Sequence, residues 1–399
     1  RKNGNLEKAS WEDAYNVITE NLKSIKKKHG ADSISLISSG RCTNEENYLM
    51  QKFARTVIGT NNIDQSETEC HAPTLHALRD TLGLGTTTNS IEEISKSDVI
   101  FVIGANVTES HPIIGLEIKK ALRNGKTLIV ADTRKVWLAK KAQTFLNLQP
   151  GTDTSLINAI IDVIIKDKLH DEKFIEKRTE NYKTVKSSIA KNNIKKTAKL
   201  TGISQDAIEE AARTYANAEN AIILYGNGIT QHRSGNDNVK SLVNLALLTG
   251  NIGKECSGIY PLMGQNNGQG AFNMGALPDF CTDFQPVSDI TVRKKFEKIY
   301  KTKLPKNKGL KIREMFDGAY KGKVKAMYVM GADPLMSEPD TTRVKKALGK
   351  LDFLIVQDIF MSNTAQYADV ILPAACFAEK DGTFTNIERR VQRIRKTVE

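Results

Sequence analysis

The sequence predicts an α/β protein made of two similar halves. Short apolar segments that end in glycine or a polar residue alternate with helical patterns, as the strand–helix units of a parallel sheet do. The chain also repeats itself, because an apolar strand ending in Gly-Ala occupies residues 99–106 and again residues 326–333. A glycine ends the strand in each copy, Gly104 in the first and Gly331 in the second. An aspartate stands at the end of the next strand, and its distance in sequence from the glycine is nearly equal in the two copies. We therefore expect two Rossmann-like, doubly wound α/β domains related by internal duplication.

The predicted elements follow one another along the chain. A helix is expected to begin near Ser10, and Thr43 and Glu46 have the spacing of a capping box at the start of another. The other predicted elements are a strand at 33–38, a helix at 44–58, a strand at 98–103, a helix at 112–123 closed by Asn124-Gly125, and strands at 128–130, 221–224, 326–330, 353–356 and 370–372.

Composition narrows the class of protein. A length of 399 residues exceeds what one core usually supports, so two or more domains are expected. No apolar run approaches the ~18 residues of a membrane-spanning helix, and we expect a cytoplasmic location. Lys and Arg total 58 against 46 Asp and Glu, but dispersed lysine-rich stretches without a nucleic-acid-binding motif indicate solvated surface. The 5 cysteines are far apart in the sequence, which disfavours a zinc site and a disulfide framework.

The glycines and acids at the strand ends have a physical use. A glycine there lets the backbone approach a phosphate, the following helix offers unpaired N–H groups, and the acid can accept hydrogen bonds from a nucleoside. Neither copy contains a complete Gly-x-Gly-x-x-Gly, which disfavours nicotinamide and flavin cofactors. Similar turns occur in α/β proteins that bind nothing there, so from spacing alone both interpretations stay open.

Two short stretches have unusual chemistry. Cys70-His71 joins a soft metal ligand to an imidazole, although an isolated cysteine or histidine is more often a buried structural residue. Residues 264–270 are rich in amides and glycines. Amides can bind the edge of a heterocycle and glycines permit close backbone approach, whereas the alternative is a tight, exposed structural loop.

Longer motifs resemble one family. They are Arg41 to Arg55, Ile58 to Asp64, Cys70-His-Ala-Pro73, Gly264-Gln-Asn-Asn267 with Met274 to Pro278, and Val356 to Met361 with Ala368 to Pro373. Together these motifs resemble the catalytic subunit of formate dehydrogenases, in the molybdopterin oxidoreductase superfamily. The resemblance runs from near the first residue to Glu399.

The resemblance implies an enzyme that oxidises formate, with molybdenum or tungsten held by two molybdopterin guanine dinucleotides, one bound by each half. Cys70 would be the protein ligand to the metal, and His71 would lie beside it and assist as formate loses hydrogen and two electrons. The implied cofactor-binding residues are Arg41, Asn106, Glu109, Ser110, Asp132, Arg134, Gly151, Asp153, Gln231, Gln265, Asp333, Gln357 and Asp358. The structural alternatives are a helix cap for Asp132 and a surface ion pair for Arg134.

The resemblance also gives domain boundaries and partners. Residues 1–65 and 266–377 would form one discontinuous dinucleotide-binding domain, and residues 66–265 would form the other, inserted in it and carrying the Cys-His metal site. Residues 378–399 would return toward an N-terminal domain that holds a [4Fe-4S] cluster. That domain and a C-terminal domain that covers the cofactor are not in this sequence, so we expect the chain alone to be inactive. The expected partners are formate or carbon dioxide and an electron-transfer subunit with iron-sulfur or flavin centres, without nucleic acid or a membrane span.

Two departures from the family pattern concern the substrate. Met263 stands where the family has the arginine that holds formate, and methionine cannot form the bidentate, charge-assisted pair with a carboxylate. Glu67 and Glu69 add two acids close to Cys70, and these would repel formate if they face the site. The alternatives to formate oxidation or carbon dioxide reduction are a related enzyme that acts on another small substrate, such as an oxyanion, and a cofactor-free electron-transfer or assembly subunit.

Overall fold

The computed structural model describes residue 1 and residues 4–399. The strands in chain order are β1 Ile34–Ser38, β2 Ile63–Gln65, β3 Val99–Ile103, β4 Thr127–Ala131, β5 Thr144–Leu146, β6 Ala221–Tyr225, β7 Gly258–Pro261, β8 Phe280–Cys281, β9 Gln285–Pro286, β10 Ala326–Met330, β11 Phe353–Asp358, β12 Val370–Pro373, β13 Gly382–Thr385 and β14 Val391–Ile394.

The α-helices in chain order are α1 Trp11–His29, α2 Asn44–Phe53, α3 Thr68–Leu82, α4 Ile91–Ile94, α5 Val107–Ser110, α6 Pro112–Arg123, α7 Asp153–Lys166, α8 Glu172–Arg178, α9 Tyr182–Ile189, α10 Ile194–Thr201, α11 Gln205–Ala216, α12 Asn227–Thr230, α13 Gly235–Leu248, α14 Gly268–Asn273, α15 Ile290–Tyr300, α16 Ile312–Tyr320, α17 Pro334–Ser337 and α18 Thr341–Leu348. A capping box begins α2 at Thr43, as the sequence predicts, and another begins α1 at Ser10, where the sequence predicts the start of a helix.

The helix predicted over residues 44–58 is divided in the structure. It ends as an α-helix at Phe53, and a π-helical turn, Ala54–Ile58, follows. This wider turn carries Arg55, whose buried guanidinium donates hydrogen bonds to three backbone carbonyl groups within residues 275–280. A buried cation is stable only with such partners, so the local sequence pattern could not predict the altered turn.

The chain folds into two compact units, each built on a parallel sheet. Unit 1 comprises Arg1–Glu69, Gln265–Asn386 and Arg390–Glu399, and unit 2 comprises Cys70–Gly264 and Ile387–Arg389. The order of strands is β12-β11-β10-β1-β2 in unit 1 and β5-β4-β3-β6-β7 in unit 2. The predicted α/β fold class with two doubly wound sheets is confirmed. The dinucleotide-binding role of each unit and its exact boundaries stay predictions.

Apolar side chains cover both faces of each sheet. In unit 2, Val99, Phe101 and Ile103 of β3 belong to one buried cluster, whereas Ile100 and Val102 belong to another. Because successive residues of a strand point to opposite faces, this division shows that helices cover the sheet on both sides. The carboxyl ends of the strands are therefore the edge that is open to a ligand.

The repeated segments occupy equivalent places in the two sheets. The central strands are β3 and β10, and β4 and β11 pair with them in the same position. The glycines after the central strands have almost the same left-handed conformation, with φ 60° at Gly104 and 62° at Gly331. The strands on the other side of the central strand differ in their place in the sequence. In unit 2 they are β6 and β7, which come after the central strand, whereas in unit 1 they are β1 and β2, which come before it. Unit 1 is therefore a circular permutation of the same sheet.

The segment predicted to lead toward a further domain forms a hairpin of unit 1. Strands β13 and β14 pair antiparallel. The Asn44 Nδ2 group donates to the hydroxyl groups of Thr383 and Thr385, both at 3.1 Å. The Thr385 N–H donates to Asn267 Oδ1 at 2.7 Å. The hairpin is thus anchored to α2 and to the start of α14, and its predicted course toward another domain stays a prediction.

Candidate functional site

The residues predicted to bind a dinucleotide in unit 2 all follow the carboxyl ends of its strands. Asn106, Glu109 and Ser110 follow β3, Asp132 and Arg134 follow β4, Gly151 and Asp153 follow β5, and Gln231 follows β6. The carboxyl ends of parallel strands share one edge, which is where doubly wound sheets bind ligands. The fold thus brings these residues to a single edge of the sheet.

Backbone contact at this edge requires glycine. A Cβ atom on Gly104 would lie 2.9 Å from the carbonyl carbon of Gly228, and its φ of +60° already disfavours a side chain. The Gly228 N–H donates to the Gly104 carbonyl oxygen at 3.0 Å. The turns that follow β3 and β6 are therefore locked together with no side chain between them, which leaves a backbone-lined edge of the kind that phosphates approach.

The acids of unit 2 hold their own turns. Asp132 Oδ1 accepts the backbone N–H of Arg134 at 2.8 Å, so Asp132 fixes the turn after β4 rather than the start of a helix. The side chain of Arg134 is exposed. Asp153 begins α7, and burial raises the pKa of its carboxyl group. Hydrogen bonds donated by a ligand would stabilise the charged form of this carboxyl group.

The predicted residues of unit 1 lie after β1, β10 and β11. Arg41 follows β1 and is exposed. The carboxylate of Asp333 accepts the backbone N–H groups of Asn363 and Thr364, both at 3.0 Å, and the Thr364 hydroxyl at 2.6 Å. A ligand that binds Asp333 must share a carboxylate already filled by its own loop.

The other two predicted residues of this edge are also engaged. Gln357 Oε1 accepts the Tyr328 hydroxyl at 2.5 Å, and Asp358 Oδ1 accepts the backbone N–H of Ile359 at 2.7 Å. Asp358 Oδ1 also accepts the backbone N–H of Phe360, two residues on, at 3.3 Å, as Asp132 Oδ1 accepts that of Arg134 after β4. The repeat therefore extends from the strands to the hydrogen bonds of the turns.

The amide-rich run is an exposed turn in its first half, at residues 264–266, and is buried in its second half. Residues 267–270 are buried, and α14 begins at Gly268. Asn267 Nδ2 donates to the Cys42 carbonyl oxygen at 2.7 Å, so this amide binds the protein itself. Gln265 Oε1 accepts the Ser66 hydroxyl at 2.8 Å. The exposed-loop alternative is wrong for residues 267–270, because the glycines let them pack tightly against the turn after β1, where a Cβ on Gly40 would lie 2.9 Å from Gly268 Cα.

Cys70 lies in the first turn of α3 with a half-buried thiol that forms no disulfide. Gln231 Nε2 donates to its Sγ at 3.5 Å. Because Gln231 follows β6, the thiol lies at the same sheet edge as the predicted dinucleotide residues of unit 2. The neighbouring acids are engaged within unit 1, where Glu69 Oε2 pairs with Arg313 Nε at 2.9 Å and Glu67 is buried.

His71 is fully buried and both of its ring nitrogens have partners. Nε2 lies 3.1 Å from the Leu262 carbonyl oxygen, and Nδ1 lies 3.0 Å from the Thr74 hydroxyl oxygen. Burial, more than the nearby His111, lowers the pKa of His71 to about 4, so the ring is neutral near pH 7. A carbonyl only accepts, so Nε2 carries the hydrogen and Nδ1 must accept from Thr74. The Tyr225 hydroxyl in turn donates to Thr74 at 3.0 Å.

A second histidine makes a parallel contact one residue further on. His111 Nε2 donates to the Met263 carbonyl oxygen at 2.8 Å, and its Nδ1 lies 2.8 Å from the Ser110 hydroxyl oxygen. Met263 is buried, with 5% of its surface exposed. The position at which the resemblance leads us to expect an arginine therefore holds an apolar side chain on a backbone fixed by an imidazole.

A sequence model of the family described as molybdopterin oxidoreductase matches residues 1–399. The chain belongs to this family. It is 48% identical to the F420-dependent formate dehydrogenase subunit alpha of Methanocaldococcus jannaschii, over 100% of this chain and 58% of that protein. It is 43% identical to formate dehydrogenase H of Escherichia coli, over 100% of this chain and 56% of that protein. The chain thus spans a little over half the length of these relatives.

A solved structure supports the fold. Acetylene hydratase from Pelobacter acetylenicus matches with a TM-score of 0.80 and 24% identity, over 99% of this chain and 57% of that one. At that identity the likeness shows the fold alone. Among the described residues, no helix has the length and apolar character needed to cross a membrane.

Family membership implies a molybdopterin cofactor with molybdenum or tungsten, and the residues present fit one. Each sheet edge has a strand-end glycine where a side chain would collide, since a Cβ would lie 2.9 Å from Gly228 at Gly104 and 2.7 Å from Cys42 Sγ at Gly331. Unit 2 adds the half-buried thiol of Cys70, a donor suited to a soft metal. The backbone edges and the thiol are thus the features that such a cofactor requires.

Sequence reasoning missed three residues of this region. Thr74, Tyr225 and His111 determine how His71 and Met263 are held, yet none was predicted. Thr74 and Tyr225 have no local signature, because their contacts join distant segments. His111 had a local signature, because it stands between Ser110, a predicted cofactor-binding residue, and the proline that begins α6.

Proposed function

We propose that this chain is the dinucleotide-binding part of a formate dehydrogenase catalytic subunit, which oxidises formate to carbon dioxide with molybdenum or tungsten and two molybdopterin guanine dinucleotides. The observation that carries the proposal is the position of Cys70, whose thiol meets Gln231 at the sheet edge with the predicted dinucleotide residues of unit 2. The identity of 48% to a formate dehydrogenase subunit alpha supports the choice of substrate.

The chain supplies the residues that would hold the cofactor. Cys70 Sγ would ligate the metal, the turns after β3, β4, β5 and β6 would bind one dinucleotide, and the turns after β1, β10 and β11 would bind the other. When bound, the cofactor supplies a metal centre that accepts two electrons as the C–H bond of formate breaks. Carbon dioxide and a proton are the remaining products.

His71 has a defined proton state at the start of such a reaction. Its Nε2–H is committed to Leu262, so a proton can be accepted only at Nδ1. Nδ1 becomes available when the Thr74 hydroxyl rotates away from it. The buried, neutral ring therefore needs a local rearrangement before it can assist, which is compatible with a base that acts only when substrate is bound.

A second candidate function is oxidation or reduction of a different small substrate, and Met263 is the observation that favours it. Its buried thioether offers no charge to a carboxylate. Losing such a contact removes about 2–4 kcal/mol of transition-state stabilisation, by analogy with other preorganised donors. Formate oxidation here requires another group to replace the arginine.

The test is anaerobic, formate-dependent reduction of a viologen dye by the full-length protein, purified from its own host with metal and pterin content measured. Turnover at millimolar formate supports the proposal. A metal-replete sample without formate turnover, but active on another small oxyanion, supports the second candidate. A preparation that binds neither metal nor pterin identifies the third alternative, a cofactor-free electron-transfer or assembly subunit.

The variant Met263→Arg tests whether the methionine weakens formate oxidation or suits the site to a different substrate. In a formate dehydrogenase the added guanidinium should lower the KM for formate, because it can form the bidentate pair. Met263→Lys is the matched control, since it adds a charge without the planar fork. Equal loss of activity in both variants would show that the site is built around an apolar residue and would disfavour formate.

The electron path is the remaining part of the proposal. A [4Fe-4S] cluster in an N-terminal segment and a partner subunit with iron-sulfur or flavin centres would take electrons from the metal. Metal analysis of the full-length protein for iron and acid-labile sulfide checks the first of these. Co-purification with a redox subunit under mild conditions checks the second.

A further inference from the structure

Leu262 and Met263 lie just beyond β7 and are held largely by two imidazoles. β7 lies at the edge of its sheet and, among the described strands, pairs with β6 alone. Beyond its end the Leu262 N–H donates to the Tyr225 carbonyl oxygen at 2.8 Å. The next two carbonyl groups accept from histidines, Leu262 from His71 at 3.1 Å and Met263 from His111 at 2.8 Å. Beyond this last backbone bond to β6, the carbonyl groups of Leu262 and Met263 accept from imidazoles rather than from a neighbouring strand.

His111 itself has a fixed backbone. It follows α5, where its N–H donates to the Val107 carbonyl oxygen at 2.9 Å, and it precedes Pro112, the first residue of α6. The helix α5 contains Glu109 and Ser110, two of the residues predicted to bind a dinucleotide. His111 is thus the physical link between the dinucleotide turn of unit 2 and the backbone of Met263.

The hydrogens available on each group determine which group donates in each hydrogen bond of His111. A carbonyl only accepts, so the Nε2 of His111 carries a hydrogen. Burial lowers the pKa of His111, which favours the neutral ring with a single N–H, so Nδ1 accepts from the Ser110 hydroxyl. That hydroxyl also lies 3.1 Å from the Asn106 carbonyl oxygen, but its one hydrogen cannot serve both acceptors. The shorter distance, 2.8 Å, favours His111.

We propose that His111 is a positioning residue, which transmits the position of the α5 dinucleotide turn to the backbone of Leu262 and Met263 through the relay Ser110 Oγ–H, His111 and the Met263 carbonyl. The functional part of this inference rests on the proposed function, in which residue 263 faces the substrate. The structural part does not, because it concerns hydrogen bonds within unit 2. Each part has its own measurement.

The structural measurement is hydrogen–deuterium exchange of the peptide that spans residues 262–265 in the full-length protein. His111→Leu should accelerate exchange of this peptide at least tenfold, because the Met263 carbonyl loses its donor. His111→Gln should restore slow exchange, since an amide can donate to Met263 and accept from Ser110. His29→Leu is the matched control, because His29 is exposed on α1 of unit 1.

The functional measurement compares kcat and KM with the substrate that the wild-type protein turns over. His111→Leu should lower kcat/KM about tenfold at unchanged metal and pterin content, and His111→Gln should stay within threefold. Unchanged exchange in His111→Leu would overturn the inference. So would parallel losses of cofactor, exchange protection and activity in the Leu and Gln variants, because that pattern marks a merely structural residue. A wild-type protein inactive on formate refutes the proposed function alone, since the exchange experiment is still decisive.

Discussion

Replacing Thr74 by Val tests the hydrogen-bond assignment around His71. The two side chains have nearly the same shape, so the change removes one hydroxyl and leaves packing intact. Thr74, His71 and Tyr225 are all fully buried, and the Thr74 oxygen lies 3.0 Å from each of the other two groups. In the variant, His71 Nδ1 and the Tyr225 hydroxyl both lose their partner. Each orphaned group costs about 1–3 kcal/mol, so unfolding should become about 2–6 kcal/mol easier.

A second substitution makes the test sharper. Tyr225→Phe alone removes a donor while Thr74 keeps its bond to His71, so it should cost about 1 kcal/mol. In the Thr74→Val background the Tyr225 hydroxyl is already unpaired, and removing it should cost nothing or restore about 1 kcal/mol. The effect of Tyr225→Phe should therefore vanish or change sign between the two backgrounds.

The two tryptophans of the sequence allow unit 2 to be followed separately. Trp11 lies in unit 1 and Trp137 in unit 2. In a Trp11→Phe background, urea unfolding followed by Trp137 fluorescence reports the free energy of unfolding of unit 2. If Tyr225→Phe costs the same in both backgrounds within about 0.5 kcal/mol, the residues do not share the assigned network, and the reasoning is refuted.

The remaining predictions concern the backbone conformation of Gly104, the titration of Asp64 and the proposed metal ligand Cys70. Gly104→Ala should destabilise unit 2 by about 2 kcal/mol or more, because its φ is left-handed and the added Cβ would collide with Gly228. The control is Gly125→Ala, which has φ +76° but nothing within 4 Å of the added Cβ, and it should cost only about 1 kcal/mol in the same urea assay. Burial raises the pKa of Asp64 from 3.8 to about 7, so the folded state holds a proton that the unfolded state releases, and stability should fall as pH rises through this window. Asp64→Asn should flatten that pH dependence, and an unaltered slope would contradict the assignment. Cys70→Ala should abolish turnover and lower metal content in the full-length protein, and preserved turnover would overturn its role as ligand.

The central strands could be predicted from the sequence, and three of the edge strands could not. The predicted segments overlap β1, β3, β4, β6, β10, β11 and β12, because each has an apolar run long enough to stand out. The unpredicted members of the two sheets are β2, β5 and β7, all at sheet edges. β2 has the sequence Ile-Asp-Gln, and its strand conformation comes from pairing with β1. Propensity over so few residues is weaker than tertiary pairing.

The location of the site could be predicted better than its internal contacts. Strand-end motifs indicate which residues share a sheet edge, because parallel strands all place their carboxyl ends together. Hydrogen bonds such as those from His71 to Leu262 and from His111 to Met263 join residues far apart in sequence. No local pattern specifies those partners, so only the fold reveals that two histidines hold consecutive carbonyl groups.

The duplication preserved the backbone of the edge and changed its side chains. Arg134 lies two residues after Asp132, and Phe360 lies two residues after Asp358, and the backbone N–H of each donates to that acid. Phe360 is 75% exposed in its turn. An ionic contact is thus available to a ligand in this turn of unit 2, and an apolar contact in the matching turn of unit 1. If each edge binds one dinucleotide, as proposed, Arg134→Gln should make the contact to unit 2 less sensitive to added salt, because salt screens an exposed charge.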